Sequence, residues 1–176
     1  MKKLLSAFAA SILLLPLAAQ ASNTYGGIQY AMGSYNQDNF GEVNPTALIA
    51  RFGSYVNNNV SIEGRLGIGL QDDSVNFLGT NISIELDALL GVYGAAHASI
   101  NQNSDVYALI GFSRAESTVS AFGNSYTLAN DTGLSFGVGA NLGVGNNVSL
   151  NIEYTQYLNT PDFDYSALAL GVVFSF

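Results

Sequence analysis

The chain has no cysteine, so it offers no disulfide, no thiol chemistry and no site for a lipid anchor. Basic residues are almost as scarce: two lysines, Lys2 and Lys3, and three arginines, Arg51, Arg65 and Arg114. Charged residues of both signs make up only 10% of the sequence. A soluble domain usually covers itself with about 25–35% charged surface residues, so something other than water must face much of this surface. The acidity and the lack of a basic patch argue against nucleic acid as a partner. Helical spacing of apolar residues is absent, and no apolar run reaches the roughly 20 residues a spanning helix needs.

The nearest approach to such a run is at the start. Lys2 and Lys3 form a positive segment, Leu4 to Ala18 an apolar one, and Ala19-Gln20-Ala21 a small-residue cleavage site, with Pro16 and Gln20 breaking the apolar stretch. This three-part pattern predicts a cleaved signal peptide over 1–21. The remaining domain, 22–176, is 155 residues with no lysine, and its three arginines face 13 acidic residues for a net charge of −10 with His97 neutral. Three Asn-x-Ser sequons, at Asn59, Asn81 and Asn147, read as chance products of an Asn- and Ser-rich bacterial chain.

What the exported part does have is alternation with period two, the mark of β-strands. Val60, Ile62, Gly64, Leu66, Ile68 and Leu70 share one face, against Ser61, Glu63, Arg65, Gly67, Gly69 and Gln71. The same holds for Ile82 to Val92, Leu134 to Val144, Val148 to Tyr154 and Leu168 to Phe176, and more weakly for about 25–35, 46–56 and 105–117. One face is continuously apolar; the other is small, polar and glycine-rich, too poor in charge to meet water yet slim enough to line a narrow lumen. That assignment, apolar towards lipid and polar inward, is the pattern of a transmembrane β-barrel, the closed sheet that satisfies its backbone in a bilayer.

Tight turns near Asn58, Gln102 and Asn146 fall 44 residues apart, and Asn58-Asn59-Val60-Ser61-Ile62 echoes Asn146-Asn147-Val148-Ser149-Leu150. Each repeat is one hairpin with its far loop. Three short turns on the periplasmic side and four longer outward connections, at about 36–45, 72–80, 118–132 and 158–164, predict an all-β fold: an eight-stranded antiparallel up-and-down transmembrane barrel. Placing Val56 opposite Val60 sets Arg51 opposite Arg65.

Two stretches resemble the eight-stranded outer-membrane barrels that include the transmembrane domain of outer membrane protein A and outer membrane protein X. Asp105-Val106-Tyr107-Ala108-Leu109-Ile110-Gly111 is similar to that family's fifth strand. Asp131 to Gly139, continuing through Asn147 to Tyr154, is similar to its sixth and seventh. The C-terminal segment, with Leu168, Leu170, Val172, Phe174 and Phe176 at alternate positions, looks like the signal read by the barrel assembly machinery. The resemblance implies an exported outer-membrane protein of a Gram-negative bacterium that meets periplasmic chaperones, outer-membrane lipids and lipopolysaccharide. No peptidoglycan-binding domain is expected after Phe176, and the short outward connections weigh against the adhesive role of some relatives.

An eight-stranded barrel is only wide enough for its side chains to fill it, so lumen charges must be paired. Arg51 and Arg65, like charges directly opposite, call for carboxylates between them; Glu63 and Glu153 stand at comparable height, with Glu85 and Asp87 nearer the outer mouth. The plain reading of Arg51, Arg65, Glu63 and Glu153 is a salt-bridge plug and the sharper one an ion gate; Glu85 and Asp87, above them in the same lumen network, are placed to hold a cation or a proton. His97-Ala98-Ser99 invites comparison with the His-x-Ser of lipid A deacylases, but His97 lies at the periplasmic end, with no obvious carboxylate to orient it. Tyr25, Tyr30, Tyr93, Tyr154, Phe112, Phe174 and Phe176 read as girdle and lipid-facing residues. Arg114, near the outer interface, is placed to meet a lipopolysaccharide phosphate. The expectation is thus a monomeric, non-enzymatic barrel without cofactor or metal, structural or surface-interacting, with a narrow channel or a lipid A-modifying enzyme as alternatives.

Overall fold

The computed structural model describes residues 23–37, 41–43, 45–71, 73–77, 80–121, 124–160 and 163–176, with side chains over 23–34, 45–70, 88–115, 132–157 and 165–176. The segment 1–21, expected as a signal peptide, lies outside them.

Ten strands follow one another: β1 (Thr24–Gln37), β2 (Gly41–Val43), β3 (Thr46–Asn57), β4 (Val60–Gln71), β5 (Asp73–Phe77), β6 (Thr80–Asn101), β7 (Ser104–Ala121), β8 (Asn124–Gly143), β9 (Val148–Thr160) and β10 (Phe163–Ser175). Eight are barrel staves; β2 pairs only with β1 and β5 only with β6. Every pairing is antiparallel, and β1 closes on β10 from Tyr25↔Ser175 to Asn36↔Asp164. The closed sheet leaves no edge across the membrane, the condition a bilayer imposes on strands.

The pleat sorts the side chains as alternation requires. Outward stand Ile62, Ile68, Leu70, Leu90, Val92, Phe136, Val138, Leu150, Ile152, Leu168 and Leu170, all exposed; inward, and buried, stand Ser61, Glu63 and Arg65 on β4 and Asn151, Glu153 and Thr155 on β9. On β7 the facing is equally regular: Tyr107, Leu109, Ser113 and Ala115 point inward, Val106, Ile110 and Phe112 outward.

Two sequence expectations are corrected here. Arg51 does pair with Arg65, but the turn is one residue tighter than expected: Asn57 pairs with Val60, and a register shift leaves Val56 bulged and exposed rather than opposite Val60. An Asx contact from Asn57 Oδ1 to the Asn59 amide, 2.9 Å, holds the turn. The outward connections are also more ordered than loops. The expected loop 118–132 is a continued hairpin, paired from Thr118↔Thr127 to Ala121↔Asn124, and 72–80 contains β5, paired from Asp73↔Ile84 to Phe77↔Thr80. At 22, 18 and 20 residues, β6, β7 and β8 far exceed the ~9–11 a membrane crossing needs. They project beyond it on the loop side.

Candidate functional site

The lumen is where this chain spends its charge. Arg51 on β3 and Arg65 on β4 sit directly opposite each other in the ladder, with Glu63 two residues along β4, and all three are buried to within 3% of full cover. Glu63 answers both arginines. Its Oε2 accepts from Arg51 Nη2 at 2.5 Å and Nε at 2.9 Å, and its Oε1 accepts from Arg65 Nε at 2.5 Å. Glu153 arrives from β9 and takes Arg65 in a two-pronged pair, Nη1 to Oε1 at 2.5 Å and Nη2 to Oε2 at 2.7 Å. Its Oε2 also lies 3.5 Å from Arg51 Nη1. Two guanidinium groups and two carboxylates therefore neutralise one another in a square with three hydrogen-bonded sides and a fourth, Arg51 to Glu153, held as a 3.5 Å ion pair and bridged by the Tyr107 hydroxyl. Burial of such charges is tolerable only with this completeness.

Hydroxyls fill the remaining lone pairs. Tyr25 donates to Glu63 Oε2 at 2.7 Å, Tyr107 to Glu153 Oε2 at 2.6 Å and Thr155 to Glu153 Oε1 at 2.7 Å. Arg51 Nη1 donates to Tyr107 at 3.0 Å and Arg65 Nη1 to Tyr157 at 3.2 Å. Tyr93 lies under the Arg65 guanidinium, 4.7 Å from its ring centre, and its hydroxyl meets Ser113. Tyr25 and Tyr93, expected on the lipid-facing surface, are both buried in the lumen. The physical reason lies in the glycines beneath the rings: Tyr25 lies over Gly53 across the ladder and Tyr93 over Gly91 on its own strand, and a Cβ at either glycine would collide with the ring. The signal was there in the parity, since Tyr93 alternates in step with Gly91 and His97. Tyr30, Tyr154, Phe112, Phe174 and Phe176 are outward and exposed.

On the turn side, a polar chain continues from the square. Ser61 Oγ contacts Tyr25 OH at 3.0 Å and His97 Nε2 at 2.9 Å. His97 Nδ1 faces Asp105 Oδ1 at 3.2 Å, and Asp105 accepts from Asn141 at 3.1 Å. A carboxylate thus does orient His97, contrary to the sequence expectation. The order Ser–His–Asp resembles a hydrolytic triad, yet Ser61 is fully buried, its hydroxyl is shared with Tyr25, and it is not on the wall of the cavity that opens beside His97. On the loop side of the square the filling turns apolar. Ile49 and Leu89 crowd the inward face of Gly67, where a Cβ would meet them at 3.3 and 3.0 Å, and Ala31, Ala47, Ala167 and Ala169 are buried near them.

Of the remaining residues singled out from the sequence, the side chains of Glu85 and Asp87 lie outside the described residues; in the backbone, a register shift of β6 against β7 falls between Leu86 and Ala88. Arg114 is exposed on the outer face of β7 and pairs in the ladder with Leu90 and Thr132. Leu168, Leu170, Phe174 and Phe176 are exposed outward, and Val172 shares their face half-covered. Among the described residues no group of three His, Asp or Glu side chains is placed to hold a metal ion.

A closed barrel of this size, with an apolar skin and a charged interior, defines a class: small outer-membrane barrels. The model of the outer membrane protein beta-barrel domain matches residues 5–176, and the chain belongs to that family. Similar folds are seen in the attachment invasion locus protein Ail of Yersinia pestis (19% identity, 89% of this chain and 100% of that one, TM-score 0.65) and in Neisserial surface protein A (14%, 87% and 97%, TM-score 0.64). The N-terminal barrel domain of Pseudomonas aeruginosa OprF is a third (14%, 89% and 100%, TM-score 0.57). At such identities the likeness is one of fold. No curated protein matches the sequence. The protein resides in the bacterial outer membrane, its short turns on the periplasmic side and its long hairpins outward.

Proposed function

We propose that this barrel is a non-enzymatic outer-membrane protein whose lumen is plugged by the Arg51–Glu63–Arg65–Glu153 square, leaving a structural or surface-interaction role to its outer face and projecting hairpins. The observation that carries the reading is the closure of that square. Four charged side chains and the hydroxyls of Tyr25, Tyr107, Tyr157 and Thr155 occupy the cross-section, and the charged groups are buried to within 3% of full cover. A water path would have to pass through paired charges. On this reading 1–21 is removed as a signal peptide, and the chain is a monomer. Periplasmic chaperones and the barrel assembly machinery deliver it through the Leu168–Leu170–Val172–Phe174–Phe176 pattern. Arg114, exposed on the outer face, meets a lipopolysaccharide phosphate.

One geometric feature favours a second reading, a narrow ion gate. Arg51 stands within 2.5 Å of Glu63 and 3.5 Å of Glu153, so it has an alternative carboxylate to swing towards. Single-channel recording in planar bilayers separates the two. The plugged barrel gives no stable conductance in the native protein and in Thr155→Val; a gate opens in steps of constant size in the native protein. A steady native conductance overturns the plug.

A further inference from the structure

The periplasmic end of the barrel holds a cavity of about 290 Å³, near the lower end of the ~300–1,000 Å³ of small-molecule sites. Tyr25 and His97 line its inner end, and Ser61, buried behind them, hydrogen-bonds to both. Its wall has an unusual chemistry. The carboxamides of Asn58, Gln102 and Asn146 stand exposed at the rim beside the hydroxyl of Ser99. Tyr55, half-buried, offers aromatic surface alongside the His97 ring at 5.0 Å and the Tyr25 ring at 5.4 Å.

The same wall argues against the usual charged ligands. Among the described residues it carries no arginine or lysine to meet a phosphate. Its one carboxylate, Asp105, is already engaged by His97 and Asn141, which leaves little to hold a cation. Apart from the Tyr25, Tyr55 and His97 rings and two valines, the wall is polar and offers an apolar ligand little surface. What fits is a neutral molecule rich in both donors and acceptors. A carboxamide side chain offers one acceptor and two donors, and it pairs in two directions at once with an acetamido group, while an aromatic ring gives the C–H face of a sugar something to lie against.

We propose that this vestibule binds an N-acetylated amino sugar, as a monosaccharide or the end of a glycan chain, through the rim carboxamides and the Tyr55 ring. The periplasm supplies such sugars in two forms: free saccharides and the cell-wall glycan. The ligand does not pass through, because the square closes the lumen above it.

The test uses the mature chain, residues 22–176, refolded in lipid nanodiscs. Backbone amide NMR shifts are followed against N-acetylglucosamine, its di- and tetrasaccharide, and glucose. Saturable shifts at Asn58, Gln102, Asn146 and His97 are expected, with glucose weaker by about tenfold, the loss of one well-formed polar pairing. Ser99→Trp, which fills the rim, should weaken the acetamido sugar by a similar factor of about ten while keeping heat-modifiable gel mobility; should it fail to fold, Asn146→Trp at the exposed turn replaces it. Co-sedimentation with purified sacculi distinguishes the sources: retention on sacculi assigns the wall glycan, and soluble-sugar binding without retention assigns a free saccharide, both supporting the site. Absence of saturable turn shifts, equal response to glucose, or an unchanged affinity in a folded rim variant overturns it.

Discussion

The inner and outer faces of the barrel share one backbone and obey opposite rules. On β4, Arg65 points inward into a lattice of carboxylates and hydroxyls, while its neighbour Leu66 turns to the outer, lipid-facing side and pairs across the ladder with Leu90 and Ala50. Inside, a charge is tolerated because every partner is supplied; hydrocarbon supplies none, and among the described side chains Arg114 is the one charge exposed on the outer face. Sparse charge in the sequence is therefore not spread thin over the molecule. Four of the charges are gathered into one square, and the outward positions go mostly to Leu, Ile, Val, Phe and Tyr.

The largest test of that contrast removes one corner of the square. Glu153→Gln removes the charge and one acceptor oxygen, leaving Arg65 without its two-pronged anionic partner and setting a donor amide against either Tyr107 or Thr155. Breaking a buried pair in this way typically costs about 3–5 kcal/mol, read as a shift of the urea unfolding midpoint in lipid vesicles. Replacing both partners with apolar side chains, Arg65→Met with Glu153→Leu, should recover much of that loss, because neither change then strands a charge. A single variant as stable as the native protein would mean that water or lipid headgroups already screen the square.

The second test puts a charge on the other face. Leu66→Arg places a guanidinium in the hydrocarbon and should cost about 2–4 kcal/mol if it lies near the midplane, in the same unfolding titration. Gly67→Arg, one residue along, fails for a different reason: its side chain would be forced between Leu89 and Ile49, where even a Cβ is tight. An added acidic residue cannot relieve that crowding. An unchanged unfolding midpoint for Leu66→Arg would mean that this position does not face hydrocarbon.

Much of this was legible before any coordinates, and the reason is geometric. Alternation has a fixed period, so a strand such as 60–71 declares both of its faces, and the turn at Asn57–Val60 transmits the register far enough to set Arg51 opposite Arg65. The bulge at Val56 was hidden, since it changes the turn and leaves the pairs above it in place. The tyrosines were hidden for another reason. Aromatic rings suit both a membrane girdle and a lumen, and composition does not distinguish them; parity and an inward glycine beneath the ring do, as at Gly139, where a Cβ would stand 2.5 Å from the Tyr107 ring. Asp105 was missed as the partner of His97 because it pairs diagonally, with Ser99 rather than His97 directly opposite it. The ordered hairpins beyond the membrane escaped notice because their polar residues resemble loop sequence.

The smallest effect is expected where the inner face is polar without being obligatorily charged. His97 links Ser61 to Asp105, but each neighbour has a second partner: Ser61 keeps Tyr25 at 3.0 Å and Asp105 keeps Asn141 at 3.1 Å. His97→Phe preserves a ring of similar width, so the tilted contacts to Tyr55 and Tyr107, at 5.0 and 5.3 Å between centres, have a substitute. What is lost is at most the net worth of ordinary hydrogen bonds, about 0.5–1.5 kcal/mol each, and the partially exposed Asp105 can recover its bond from solvent. The unfolding midpoint should therefore move by less than a third of the shift seen for Glu153→Gln. A loss as large as that of Glu153→Gln would mean that the chain from Asp105 to Tyr25 is part of the square, and that the charged layer reaches to the floor of the periplasmic vestibule.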